Sequence, residues 1–239
     1  MSTQVEVLQL PIADRGHEAA EQLQVAAESA VPWPRVHDPF TEEQIGTLVH
    51  QVFFPASGKS RKQIVFSAVD EEVDVGGICA LVAESLAART EETVAIVDAH
   101  ARSRDRVPGE RMDHVREAIL NAHTGCEQRT GNLWSVPGQT FWGDSPHAGS
   151  PAWVVERLGG LRTEFHYSLI HAPAAGVYSG TCLLGQVSDG LVLVIEADYT
   201  RRSAAQKAKE MLYAANVRIL GTVLSGRTFP IPESIYRRL

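Results

Sequence analysis

The sequence predicts an α/β protein in three layers, αβα, around a mainly parallel central sheet. Short, near-continuous apolar runs alternate with longer segments of helical period from Gln63 to Leu224. Strands of that kind are buried on both faces, as a parallel sheet covered by helices requires. The chain has 239 residues, 44% hydrophobic and 21% charged, enough for one large domain or two small ones with a sizeable core. A disordered chain, a collagen-like fibre and a coiled-coil rod are excluded by that composition.

Residues 1–40 read as a peripheral arm, with a main domain over 41–239. Within the arm, Gln4 to Leu10 is extended and His17 to Ala30 a short helix; Pro32, Pro34 and Pro39 then preclude regular structure. Thr41 is a good N-cap for a helix with Ile45, Leu48, Val49 and Val52 on one face. Gln63 to Ala68 is the first strand, Gly77 to Arg89 a helix and Thr93 to Val97 a second strand. Arg111 to Ala122 is a helix, Asn132 to Val136 a short strand and Gly138 to Ser150 a loop rich in Gly, Pro and Ser. Ala152 to Phe165 is a helix, Tyr167 to Ile170 a strand, and Leu183 to Val187 the end of a further helix. Gly190 to Ala197, Ser203 to Ala215 and Arg218 to Leu224 complete the series as strand, helix and strand. About seven or eight strands are expected in a sheet of this type.

A formal net charge of −7 argues against nucleic acid and against an anionic membrane surface as partners. Cys79, Cys126 and Cys182 are far apart and lack zinc spacing, so reduced thiols are expected. The N-terminus has no signal-peptide pattern. The longest apolar run, Leu191 to Ile195, is far short of the roughly 20 residues that span a bilayer. These readings predict a cytoplasmic protein without direct membrane insertion, brought to the inner membrane face by a partner if at all.

Parallel sheets bind ligands beyond the carboxyl ends of their strands. Function is therefore expected just after Ala68, Val97, Ile170, Ala197 and Leu224. Gly58-Lys59-Ser60 looks like the end of a phosphate loop, but Phe53 stands where its first glycine belongs and the tripeptide precedes a strand, so a solvated linker is expected. After Ala68, where a phosphate loop belongs, stand Asp70, Glu71, Glu72 and Asp74. Four carboxylates suit a helix N-terminus and would repel a triphosphate.

The order Ile64 to Ala88, TVAIVDAHAR, NLWSVPG, FHYSLIHAP, VSDGLVLVIEADYTRRSAAQKAKEML and VRILGTVLSGRTF resembles the cytoplasmic module of bacterial tyrosine kinases. These are capsular and exopolysaccharide chain-length regulators with a deviant P-loop ATPase fold akin to MinD and ParA. The resemblance covers roughly residues 41 to 230 and is most specific from Asp189 to Ser225. It implies a sheet of P-loop NTPase type, and it identifies the positions of a degenerate nucleotide site. The family's phosphate loop runs Ser-Ala-x-Pro-Gly-Glu-Gly-Lys-Ser/Thr. Ser67 and Ala68 match it, but Glu71 and Val73 replace the two glycines, Asp74 the lysine, and Val75 the magnesium-binding hydroxyl. The family's Asp-Ala-Asp reads Asp98-Ala99-His100, and its Ile-Asp-Thr-Pro-Pro reads Ile170-His171-Ala172-Pro173-Ala174. A family Ser-Asp reads Ser179-Gly180, and Ser225 stands at the Asn that reads adenine in related ATPases. The tyrosine-rich tail is reduced to Tyr236, and no Glu/Arg self-association motif is recognisable around Glu43.

Phosphoryl transfer depends on positioning and on charge stabilisation by Lys and Mg²⁺, and several losses along one site remove both. The expectation is a non-catalytic, pseudokinase-like protein without cofactor or catalytic residues. Its implied partner is a membrane chain-length regulator or another polysaccharide-assembly protein; self-association stays open. One alternative is a divergent ATPase or tyrosine kinase that still binds nucleotide. Another is a metal-binding protein, in which His100 and His171 with Asp98 or Asp74 form a transition-metal site. Hydrogen-bonded loop histidines, with Asp98 as a structural cap for its turn, are the favoured reading. Trp33, Trp134, Trp142 and Trp153 read as core or loop anchors, and Arg201-Arg202 as a solvated helix start.

Overall fold

The computed structural model describes residues 39–56, 60–100, 125–143 and 148–226. The helix expected over Arg111 to Ala122, the tripeptide's Gly58-Lys59, Tyr236, Trp33 and the arm before Pro39 lie outside them.

A helix, α1 (Pro39–Phe53), leads into strand β1 (Gln63–Ala68), followed by α2 (Val75–Ala87) and β2 (Val94–Asp98). A hairpin of β3 (Glu127–Thr130) and β4 (Leu133–Val136) precedes a short helix, α3 (Gly138–Trp142). Then come α4 (Pro151–Glu164), β5 (Tyr167–His171), α5 (Gly180–Val187), β6 (Gly190–Glu196), α6 (Arg202–Ala214) and β7 (Ile219–Ser225). The strands form one seven-stranded sheet in the order β3-β4-β2-β5-β1-β6-β7. Every pair is parallel except β3 with β4. The expected three-layer α/β architecture is thus the one observed.

The apolar runs explain the layering. All six residues of β1 are buried, and its neighbours β5 and β6 are buried over most of their length. Alternate residues feed two cores. One, around Val65, Val97, Ile170, Leu191 and Leu193, is covered by α3, α4, α5 and α6 through Phe141, Leu158, Leu161, Leu184 and Leu212. The other, around Ile64, Phe66, Leu169, Val192 and Val194, is covered by α1 and α2 through Val49, Val52, Phe53, Cys79, Val82 and Leu86. Each such side chain taken fully from water contributes about 1.5–3 kcal/mol.

Polar side chains fasten the amino edge of the sheet. Asp189, just before β6, accepts hydrogen bonds from the backbone N–H of Lys62 and Gln63 at 2.7 and 2.9 Å. Arg162 of α4 pairs with Asp189 at 3.0 Å and donates to the Gln63 side chain. Gln63, fully buried, donates in turn to the Leu158 carbonyl. This network ties the starts of β1 and β6 to the end of α4.

Three local expectations need correction. Helix α1 begins at Pro39, so Thr41 lies inside its first turn and is not its N-cap; proline suits that first turn because its missing N–H has no intrahelical partner. Gly138 to Trp142, expected as loop, is a helical turn after Pro137, driven by burial of Phe141 and Trp142 and ended at Gly143 with φ +55°. Strand β3 was not expected: all four of its residues are exposed, so no apolar alternation marks it. It is fixed instead by the turn at Gly131, φ +53°, whose carbonyl accepts from Gln128.

Candidate functional site

The carboxyl edge of β1, β2, β5 and β6 is where this topology places a site. The first component is the β1–α2 loop. Its apolar residues Val69, Val73 and Val75 point into the cores, each under 7% exposed, while Glu71, Glu72 and Asp74 face solvent. The loop turns tightly, with the Val75 N–H on the Val73 carbonyl at 2.9 Å. Asp74 is the N-cap of α2: its Oδ1 accepts from the Gly77 N–H at 2.9 Å. A side chain at residue 77 would put Cβ 2.5 Å from Asp74 Oδ2, so glycine there is what lets the carboxylate lie against the helix start. The orphan N–H groups and positive end of α2 therefore already face an internal anion.

The second component joins β2 to β5. Asp98 and His171 are register partners at the two strand ends. Asp98 Oδ1 accepts from the His100 backbone N–H at 2.9 Å, so Asp98 caps its own turn as expected. The imidazoles of His100 and His171 stack, centroids 5.2 Å apart and planes 14° from parallel. Among the described residues no group of three or more His, Cys, Asp or Glu is arranged to hold a metal. Burial is the main cause holding the His171 pKa below the ordinary histidine range; His100 adds to it, while Asp98 and Asp74 oppose it.

Hydroxyls and an aromatic cluster complete the surroundings. Ser67, which matches the family's serine, donates to the Pro173 carbonyl at 2.7 Å, and Thr181 donates to the same oxygen. Trp142 stacks on Trp153 at 5.3 Å, Phe141 packs against both, and the Trp142 indole donates to the Ala99 carbonyl. These tryptophans, like Trp134 against Phe165, are anchors rather than a ligand cage. Ser225 ends the edge strand β7, and its hydroxyl donates to the Ile195 carbonyl at 3.5 Å. Arg201 and Arg202 are exposed at the start of α6.

Sequence reasoning missed Tyr199. The turn after β6, with Asp198 at φ +61°, carries this phenol toward the Glu72 carboxylate. Glu72 first, with Asp70 and Glu196 adding to it, holds its pKa above the ordinary tyrosine value. The signal available was its place three residues beyond the end of β6. The structure thus brings Glu72, Asp74, Asp98, His100, His171 and Tyr199 to one edge of the sheet and leaves Val73 and Val75 in the core.

No protein-family model matches the chain. Over 193 residues it is 23% identical to the tyrosine-protein kinase CpsD of Streptococcus agalactiae, covering 77% of this chain and 83% of that one. Among solved structures, the chimerical protein CapA2B2 superposes with a TM-score of 0.62 at 15% identity, over 80% of this chain and 86% of that one. The kinase domain of VpsO gives 0.61 at 17%, over 79% and 97%. A chain of the MinC:MinD cell division protein complex of Aquifex aeolicus gives 0.52 at 15%, over 74% and 72%. Among the described residues no helix is long and apolar enough to cross a membrane. The chain is thus similar in sequence to a bacterial tyrosine-protein kinase and shares the three-layer α/β fold of the tyrosine kinase domains and of the MinC:MinD complex it superposes on.

Proposed function

We propose that this protein is a non-catalytic, pseudokinase-like relative of the bacterial tyrosine kinases that acts as a regulatory or binding partner in exopolysaccharide or capsule assembly. The observation that carries this reading is the Asp74 cap. At the position of the phosphate-binding lysine stands a carboxylate bonded to the first turn of α2. A phosphate brought there meets like charge from Asp74, Glu71 and Glu72 and competes with the cap for the same N–H groups. Val73 and Val75 reinforce the reading, because both are core residues and neither presents backbone or hydroxyl to a nucleotide. The residues present do not fit a magnesium-nucleotide, and no step of phosphoryl transfer is assigned to them. The implied partner is a membrane chain-length regulator or another polysaccharide-assembly protein, which places the protein at the inner membrane face through that partner.

Calorimetric titration of ATP, ADP and GTP with Mg²⁺ tests the reading. No binding at micromolar nucleotide is expected. Micromolar binding that disappears on substitution of Asp74 or Asp98 supports the divergent ATPase instead. Co-purification of a membrane chain-length regulator with the tagged chain tests the partner; recovery of the chain alone from cells that make both counts against it.

A further inference from the structure

The sequence treats the two edge strands of the sheet differently. On one side the sheet ends in β3, four exposed residues of which Glu127 and Arg129 are charged. Shortness and charge keep such an edge from pairing with other chains. On the other side it ends in β7, seven residues without a charge or a proline. The pairing of β7 with β6 is irregular only at Leu220 and runs in register from Gly221 to Ser225. Among the described residues no strand lies on its outer side. The Ser225 carbonyl turns inward and accepts from the Ala197 N–H at 2.8 Å. Backbone groups alternate sides along a regular strand, so Thr222 and Leu224 turn their N–H and C=O outward. Gly221 and Thr222 are exposed, and Leu224 is a large apolar side chain left 54% exposed beside them.

An uncharged strand meets its own copy across a two-fold axis without like charges facing one another. Antiparallel pairing centred on Thr222 sets that residue opposite its mate, and Thr–Thr is a favourable cross-strand pair. It also joins opposite ends of the strand. Arg218, four residues before Thr222, is exposed. Gly226, four residues after it, lies against Glu196: a Cβ on Gly226 would stand 3.3 Å from Glu196 Oε1. The pairing thus brings Arg218 of each copy toward Glu196 of the other, whereas parallel pairing would set arginine beside arginine. We propose that β7 is a self-association edge: two copies of the chain pair their β7 strands antiparallel and continue one sheet through both. The outward groups of Thr222 and Leu224 supply the new ladder bonds, and Leu224 leaves water against the second copy. One strand pair with its flanking side chains is smaller than a standard interface, so a dimer of micromolar strength is expected.

Sedimentation velocity of the full chain from about 1 to 100 μM tests the pairing, and a monomer–dimer equilibrium should appear in that range. Thr222→Lys, which sets two ammonium groups facing each other across the axis, should weaken the dimer by about tenfold. Arg218→Glu and Glu196→Arg should each weaken it, and the double exchange should restore it. Should a variant fold poorly, amide hydrogen exchange on the wild type decides: protection at Thr222 and Leu224 should rise with protein concentration, while that at Val65 and Leu169 in the central strands stays constant. A chain that remains monomeric throughout, a dimer indifferent to Thr222→Lys, or a double exchange that restores nothing would each overturn the proposal. So would protection at Thr222 and Leu224 that is the same at every concentration, whether high, because the chain covers its own edge, or low, because the edge is kept for a different partner.

Discussion

Gly176 lies so close to the Val69 carbonyl that a Cβ on it would stand 2.5 Å from the oxygen. The segment after β5 is thereby pressed onto the loop after β1, and the Ala175 N–H on the Ala68 carbonyl at 2.8 Å holds it there. Because the clash is with backbone, Gly176→Ala should destabilise the protein by about 1–3 kcal/mol. Urea denaturation measures this, and an unchanged midpoint would show that the two segments are not in the contact described.

Removing the α2 cap has a graded outcome. Asp74→Ala should cost about 1 kcal/mol, since the Gly77 N–H loses its acceptor, and Asp74→Asn should cost little, since asparagine caps as well. Asp74→Lys should cost at least as much as alanine, because it places a cation at the positive helix end. That lysine should bring no ATP binding, with Val73, His100 and His171 still in place. Thermal melts of the three variants, with nucleotide titration of the lysine variant, check both halves.

Asn132 was not singled out from the sequence, yet its amide donates to the carbonyls of Ala87, Thr90 and Glu92 at 3.4, 2.8 and 2.7 Å. One side chain thus ties the end of α2 and the approach to β2 to the start of β4. Asn132→Ala should cost about 1–2 kcal/mol. Asn132→Asp, which replaces the donor with a charged acceptor facing carbonyls, should cost more. Chemical denaturation of the two variants side by side provides the comparison.

His171 links stability to pH. Its folded pKa lies below the unfolded value of about 6.5, so the unfolded chain binds more protons just below that pH. The contribution is full above pH 6.5 and is lost as pH falls through the folded pKa. His171→Gln should flatten the melting temperature against pH between 7.5 and 5, and an unchanged slope in the variant would remove His171 as its source.

The central architecture was legible because burial writes itself plainly into β1, β5 and β6, where most residues are apolar and nearly all are buried. Observed bounds for these strands depart from the expected ones by at most one residue. Helix α2 starts two residues earlier than expected because its start is set by Asp74, which was weighed there as a charge at the helix mouth and not as the cap. Strand β3 carried no signal, since Glu127, Gln128, Arg129 and Thr130 all face solvent and only pairing with β4 makes them a strand. At the site, Asp98 and the two histidines could be placed at strand ends from the sequence. Their parallel stacking depends on a register between β2 and β5 that no local pattern encodes. The approach of Tyr199 to Glu72 has the same character, joining loops far apart in sequence.

The place of β1 in the strand order governs when the fold can be completed. Its partners are β5 and β6, and the bonds that join them connect residues as distant as Gln63 and Asp189, 126 positions apart. During synthesis from the amino terminus, this interior strand is therefore made long before either neighbour exists. Until β5 emerges, β1 has both edges unpaired, and until β6 follows, one edge of an apolar strand stays open. The late third of the chain closes the sheet, so a product that stops short of Gly190 lacks the strand that completes its centre rather than a dispensable margin. High contact order of this kind slows folding and lengthens exposure of unpaired edges to other chains.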